Sequence, residues 1–458
     1  MTDLQTDFSG FLIAGTHSGS GKTTVALALG RGVARRGLRV APFKCGPDYI
    51  DPSHHAAAAG QVSVNLDCRM MGNNAVFWNW KQFAHGAQVA VVEGVMGLFD
   101  GVASGTLEGS SAEVAALLDL PVILVVDAGG MAGSIAPLVA GFANWNPKVR
   151  IAGVIANRTG SEKHARLLAD ALETAGLPPL IGSFPRREEW RIPERYLGLV
   201  PGEEAPVLDV WLDQLAECVE QRMDLGALLQ RTRLPNPEPP LRSPQKKRVR
   251  LAIARDRAFH FYYPDQLLRM EDAGIELVDF SPLEDRKLPE EIQGIWIGGG
   301  FPELYAEELE RNRSMREEIR EFSLRNGWIY AECGGFMYLM EAVTDREGKR
   351  YEMCGIVPGD AVMTGRLRAL GYRRVIAEGS NCFGDAGSVF RGHEFHYSEA
   401  PESSSPLWRS FNSAGLPAPS GNGFRIRRTF GSYVHLHLGS TPEAVVRFAE
   451  ELADGTRS

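Results

Sequence analysis

The stretch Phe11-Leu12-Ile13-Ala14-Gly15-Thr16-His17-Ser18-Gly19-Ser20-Gly21-Lys22-Thr23-Thr24 decides the fold of the first half of the chain. An apolar run leads into small residues and a Lys-Thr pair, and the helical pattern VALALGRGVARRG follows. Strand, glycine loop and helix in that order place backbone N–H groups around phosphates at a helix N-terminus, where the dipole favours anions. Gly19, Ser20, Gly21, Lys22, Thr23 and Thr24 are the expected phosphate contacts. Lys22 reaches the terminal phosphates and the Thr23 hydroxyl faces Mg²⁺. The opening glycine, Gly15, lies one residue further from Gly21-Lys22 than the usual G-x-x-x-x-G-K-[ST] spacing, so the loop is one residue longer.

Further near-continuous apolar runs, at 39–44, 89–95, 121–128, 151–158 and 180–184, alternate with helical stretches. Strands buried on both faces read this way, so the expectation is a doubly wound α/β domain built from right-handed βαβ units. Its longer phosphate loop resembles that of the dethiobiotin synthetase and ParA-like branch of P-loop proteins. Ligands in such sheets bind at the carboxyl ends of the strands. Asp48 follows the second run and Glu93 ends the apolar run 89–92, so Thr23, Asp48 and Glu93 form the expected Mg²⁺ set. Asp51 and Asp100 read equally well as turn-formers before Pro52 and Gly101. Asn157, at the end of IAGVIAN, reads either as a contact to the adenine of ATP or as a simple cap.

Composition bounds the rest. The 458 residues, 44% hydrophobic and 23% charged, fit two globular domains. A formal charge of −8 argues against a general nucleic-acid binder. Six cysteines at 45, 68, 218, 333, 354 and 382 include no CxxC pair. With no signal-like segment and no membrane-length apolar run, a cytoplasmic protein is expected, without membrane or nucleic-acid partners. The oligomeric state is left open, a homodimer among the options. The proline-rich, charged stretch RTRLPNPEPPLRSPQKKRVR (231–250) reads as a linker. The expected domains are 1–230 and 248–445, joined by 231–247 and followed by a tail at 446–458.

After the linker the α/β alternation restarts, with runs at 249–254, 276–280, 294–297 and 328–331, and this second α/β domain carries a cysteine between a strand and a helix, Ala331-Glu332-Cys333-Gly334-Gly335. A nucleophile on such a turn is lifted out of the sheet, and the helix N-terminus is expected to lower its thiol pKa. Upstream, Gly298-Gly299-Gly300 offers backbone N–H groups to an oxyanion, with Gly299 and Gly300 the candidates. Downstream, Tyr433-Val434-His435-Leu436-His437 supplies a base. In a strand His435 and His437 point to the same face, so alternation does not separate them; the order resembles that of a class I glutaminase, whose pattern aligns His435 with the base. The family pattern is His-x-Glu; His437 stands where the glutamate belongs, which leaves the third member of the triad open.

Taken together, GTHSGSGKTT (15–24), FKCGPDYIDP (43–52), VVEGVMGLFDG (91–101), IGGGFPE (297–303), AECGGFMYL (331–339), LGYRR (370–374), RGHEFHYS (391–398) and YVHLH (433–437) resemble the cobyrinic acid a,c-diamide synthase family over nearly the whole chain. The resemblance implies an ATP- and Mg²⁺-dependent ligase. It would use L-glutamine, through Cys333 and His435, to amidate the a and c acetates of a corrinoid polycarboxylate in cobalamin biosynthesis. It implies roles near nucleotide and acceptor for Tyr49, Ile50, Asp51 and Asp100. It makes Arg366, Arg368, Arg373, Arg374, His393 and His396 candidates for acceptor contacts. The alternatives are a sibling acting on hydrogenobyrinic acid or nickel sirohydrochlorin, and a ParA-like ATPase switch.

Overall fold

The computed structural model describes residues 8–190 and 205–454. Contacts divide the chain into two units, Met1–Pro240 and Leu241–Ser458. In the first unit the strands are β1 (Phe8–Gly15), β2 (Val40–Cys45), β3 (Val64–Leu66), β4 (Val89–Gly97), β5 (Val122–Asp127), β6 (Ile151–Thr159), β7 (Leu180–Pro185) and β8 (Arg233–Leu234). Their order is β3-β2-β4-β1-β5-β6-β7, all parallel, with β8 antiparallel to the start of β1. The apolar runs become this sheet because each is buried along its length. The short β3 (VNL) carries no such run and is legible only once β2 lies beside it. Helices α1 (Lys22–Arg35) and α2 (Ile50–Ala59) follow β1 and β2. Val25, Leu29 and Val33 of α1 pack with Leu212, Leu215 and Val219 of the helix Ala205–Arg222. β1 lies centrally, so the loop after it opens at the carboxyl edge of the sheet, between β4 and β5.

In the second unit the main sheet runs in the order Ile275–Phe280, Val249–Ala254, Gly294–Ile297, Trp328–Glu332, Thr429–Ser432, Phe424–Ile426. The first five strands are parallel and the last is antiparallel. An antiparallel sheet follows, ordered Trp408–Phe411, Ala369–Ala377, Val389–His396, His435–Leu436. Residues 446–454, expected as tail, belong instead to the helix Glu443–Asp454, because Val445, Phe448 and Leu452 form an apolar face buried in the core. Residues 455–458 lie outside the described part. The start of the expected linker is also structured: Thr232 is buried and β8 pairs with β1.

Candidate active sites

The loop between β1 and α1 is a preformed cradle. Gly19 and Gly21 have φ of 80° and 93°, backbone that glycine adopts without strain. A Cβ on Gly21 would collide with the Asn157 amide, and one on Gly15 with Ser20 Oγ. Asn157 Nδ2 donates to Ser20 O at 2.9 Å, and Asn157 Oδ1 accepts from Arg158 N at 2.9 Å. The side chain expected to read adenine or cap the strand therefore braces the loop. Arg158, not anticipated, donates to Gly19 O at 3.0 Å and pairs with Asp127. Ser20 Oγ is buried with no hydrogen-bond partner among the described residues. That orphaned hydroxyl fits a phosphate oxygen, as does Lys22, whose ammonium is pushed down by burial against the opposing pull of Glu93, Asp51 and Asp100.

Glu93 sits at the centre of this site and is 1% exposed. Its Oε1 accepts from Thr23 Oγ1 at 2.6 Å and Lys44 Nζ at 2.9 Å, and its Oε2 meets His55 Nε2 at 2.5 Å. Burial disfavours its charge, but Lys44, His55 and Thr23 prevail and hold its carboxyl well below the usual range. Lys44 Nζ also lies 2.5 Å from Asp51 Oδ2. Burial alone would drive that ammonium to lose its proton; Glu93, Asp51 and Asp48 outweigh it and raise its pKa. Of the expected metal set, Thr23 and Glu93 are brought together. Asp48 is tied to the N-terminus of α2, accepting from Ile50 N at 2.9 Å and Asp51 N at 3.3 Å. Burial, then Asp51, pushes its carboxyl up to about 6. A hydroxyl beside one carboxylate fits Mg²⁺, which takes few protein ligands when phosphate oxygens complete its shell. Asp100 Oδ2 accepts from Gly97 N at 2.8 Å, so it does form a turn, and its charge still acts on Lys22. Tyr49 and Ile50 open α2 at the same edge. Lys44 and His55 are the residues that sequence reasoning passed over. The signals were a lysine in an otherwise apolar strand, VAPFKC, and a histidine on the buried side of α2.

In the second unit Cys333 has φ 47° and ψ −107°, a strained turn between the strand Trp328–Glu332 and the helix Gly334–Leu339. Its N–H donates to Ser432 O at 2.8 Å on the neighbouring strand, and its Sγ faces Phe395 O at 3.8 Å. Burial pushes the thiol up, with Glu303, Glu394 and Glu332 adding to the shift. The expected lowering by the helix N-terminus does not occur, because the Gly334 N–H is outweighed by desolvation. Proton removal must then come from a base. His435 is supplied by a strand that starts just beyond Thr429–Ser432, the parallel neighbour of the Cys333 strand. Gly299 packs so closely on His435 that a Cβ there would collide with the imidazole, and a Cβ on Gly334 would stand 3.0 Å from Gly300 N. The glycine loop thus runs between the base and the turn that carries the nucleophile.

The remaining candidates of this unit divide into buried and exposed residues. The strand at His435 ends at Leu436, so His435 and His437 do not share a face by alternation. His437 Nε2 lies 3.3 Å from Asp265 Oδ2, and its Nδ1 accepts from Gly439 N at 3.1 Å. His393, Arg373 and His396, expected at the acceptor, are buried, and His393 lies opposite His435 where Val389–His396 pairs with His435–Leu436. The His393 ring stacks on His435 with centroids 4.9 Å apart. Glu394 joins Arg373 at 2.5 Å to His396 at 2.8 Å, and His396 stacks on Tyr433. Arg366, Arg368 and Arg374 are exposed, with Arg368 paired to Glu399 and Arg374 lying over the Phe411 ring.

These two sites match known families in sequence. Residues 11–199 match the CobQ/CobB/MinD/ParA nucleotide binding domain, and 250–443 match the CobB/CobQ-like glutamine amidotransferase domain. The cobyrinate a,c-diamide synthase of Syntrophotalea carbinolica is 43% identical over 447 residues, covering 96% of this chain and 97% of its own. The chain belongs to the cobyrinate a,c-diamide synthase family. Members from Caldanaerobacter subterraneus and Priestia megaterium are 41% and 37% identical, each match covering 96% of this chain and 97% and 96% of theirs. Like its family, the chain is a glutamine-dependent amidating ligase with a nucleotide-binding domain. Among the described residues no helix is long and apolar enough to cross a membrane.

Proposed function

We propose that this chain amidates the a and c acetates of cobyrinic acid with ATP, Mg²⁺ and glutamine. The observation that carries the reading is the presence, in one chain, of a phosphate cradle with an orphaned Ser20 hydroxyl and of a buried cysteine on a strained turn, flanked by a glycine loop that also packs on His435. Cys333 Sγ attacks the glutamine amide carbon while its proton passes to His435. The oxyanion meets N–H groups of the Gly299-Gly300 loop. His435 returns the proton to the leaving nitrogen, ammonia departs, and water later hydrolyses the thioester to glutamate. In the first unit Lys22, Ser20 and the loop amides would hold phosphate oxygens, and Thr23 and Glu93 would hold Mg²⁺. A bound nucleotide supplies the phosphoryl group that gives an acetate carboxylate a leaving group. Ammonia then displaces phosphate to form the amide. Asp51 and Asp100, close to the charge cluster around Lys22 and Lys44, are the acceptor-side groups in this reading.

The test is product mass after incubation with ATP, Mg²⁺ and either glutamine or ammonium, with cobyrinic and hydrogenobyrinic acids as competing acceptors. Two glutamine-dependent conversions of carboxyl to amide on cobyrinic acid are expected. Cys333→Ala should abolish them with glutamine and spare them with ammonium. Full glutamine-dependent turnover by Cys333→Ala would sink the glutaminase assignment, and preference for the metal-free acceptor would reassign the substrate.

A further inference from the structure

The glutaminase centre lacks the glutamate of His-x-Glu, and His437, which replaces it, is held by Asp265 and Gly439. Another carboxylate is nearby. Glu332 ends the strand Trp328–Glu332, one residue before the nucleophile, and is 2% exposed. Its Oε1 is fixed by two donors, the Tyr330 hydroxyl at 2.7 Å and the N–H of Leu436 at 3.1 Å. Leu436 directly follows the base, so this bond ties the His435 backbone to the nucleophile strand. The other oxygen, Oε2, lies 3.6 Å from His435 Nδ1. His393 stacks on the face of the same imidazole and Gly299 closes on its edge, so the ring has little freedom.

We propose that Glu332 is the positioning carboxylate of this glutaminase, filling from the nucleophile's own strand the role that His-x-Glu fills from the base's strand. This rests on the glutaminase reading above. A carboxylate at Nδ1 selects the tautomer with its proton there and leaves Nε2 as acceptor for the thiol proton. When Cys333 Sγ bonds to the amide carbon, its proton moves to His435 Nε2. Glu332 takes no proton and stabilises the imidazolium. The need is acute here, because a desolvated thiol gives up its proton only to a base whose cation is stabilised. A spacing of 3.6 Å is long for a hydrogen bond. Catalytic contacts of this kind are often long without substrate and tighten in its complex.

The experiment compares Glu332→Gln, Glu332→Asp and Tyr330→Phe with Cys333→Ala in the full chain, measuring glutamate release and ammonium-supported amidation. Gln keeps an acceptor for Leu436 N and removes the charge. Glu332→Gln is expected to lower kcat for glutamine about 100-fold or more, with KM within about 3-fold. Glu332→Asp should recover about 10-fold of that loss, and Tyr330→Phe should stay within about 5-fold of the parent, since it leaves the charge in place. Ammonium-supported amidation should persist in every variant. A Glu332→Gln kcat within about 3-fold of the parent would overturn the proposal. So would a loss shared by kcat, KM and ammonium-supported turnover without rescue by Asp, which marks a folding role. If Cys333→Ala keeps its glutamate release, the glutaminase reading itself fails, a result distinct from either.

Discussion

Replacing Lys44 by Met tests the charge cluster behind the phosphate loop. The methionine keeps the length of the aliphatic stem and removes the ammonium that bridges Glu93 at 2.9 Å and Asp51 at 2.5 Å. Removing one partner of a buried ion pair costs about 3–5 kcal/mol, chiefly because the remaining charge stays desolvated. Here the lower end applies: His55 still faces Glu93, and the Asp51 side chain is 16% exposed and can hydrate. About 3 kcal/mol in a unit of this size lowers Tm by roughly 6–12 °C. The assay is a thermal melt of the intact chain, in which the transition raised by added ATP reports the first unit. The sign with pH follows from Glu93, whose folded pKa lies below its ordinary 4.5. Its contribution is complete above that value and is lost as pH falls through the folded pKa, so the gap between parent and variant is widest near neutrality and closes in acid. A shift below about 2 °C at neutral pH would refute the buried bridge.

Gly299→Ala should cut glutamine-dependent turnover at least 10-fold, since its methyl displaces His435, and spare ammonium-supported amidation; paired assays with the two nitrogen sources decide. Lys22→Ala should remove amidation from both sources, by about 1000-fold, without lowering glutamate release from the isolated glutaminase step; retained turnover with ammonium would refute a phosphate role. Asp48→Asn should stabilise the first unit near pH 7 by about 1–3 kcal/mol, because a carboxyl raised from 3.8 to about 6 is a net cost once ionised. That gain should shrink as pH falls through 6 towards 3.8, where the parent Asp48 is protonated in both states; melts across this range check it.

The first unit was legible wherever a strand is buried on both faces, because such strands announce themselves as unbroken apolar runs. β3 was not, being three residues with an asparagine at its centre. The nucleophile turn was legible because Cys333 is followed by two glycines, each lying where a Cβ would strike backbone. What surrounds His435 was hidden. His393 reaches it through antiparallel pairing across 42 positions of sequence, His393 opposite His435. Glu332 reaches it through the parallel register of two strands whose order cannot be read from local pattern. The two histidines of RGHEFHYS are candidates for the acceptor only through the resemblance; three positions apart, they fall on opposite faces of their strand, where His393 stacks on His435 and His396 on Tyr433. Lys44 and His55 converge on Glu93 only after β2 and β4 pair, with Lys44 opposite Glu93 in register.

The environment of Cys333 also governs how the protein withstands oxidants. Peroxides and alkylating agents react with thiolates, and a thiol that is 8% exposed and held protonated by burial offers them little. The remaining five cysteines are buried as well. Slow labelling of Cys333 by an alkylating agent in the absence of glutamine is the expected outcome, checked by mass spectrometry of the treated chain.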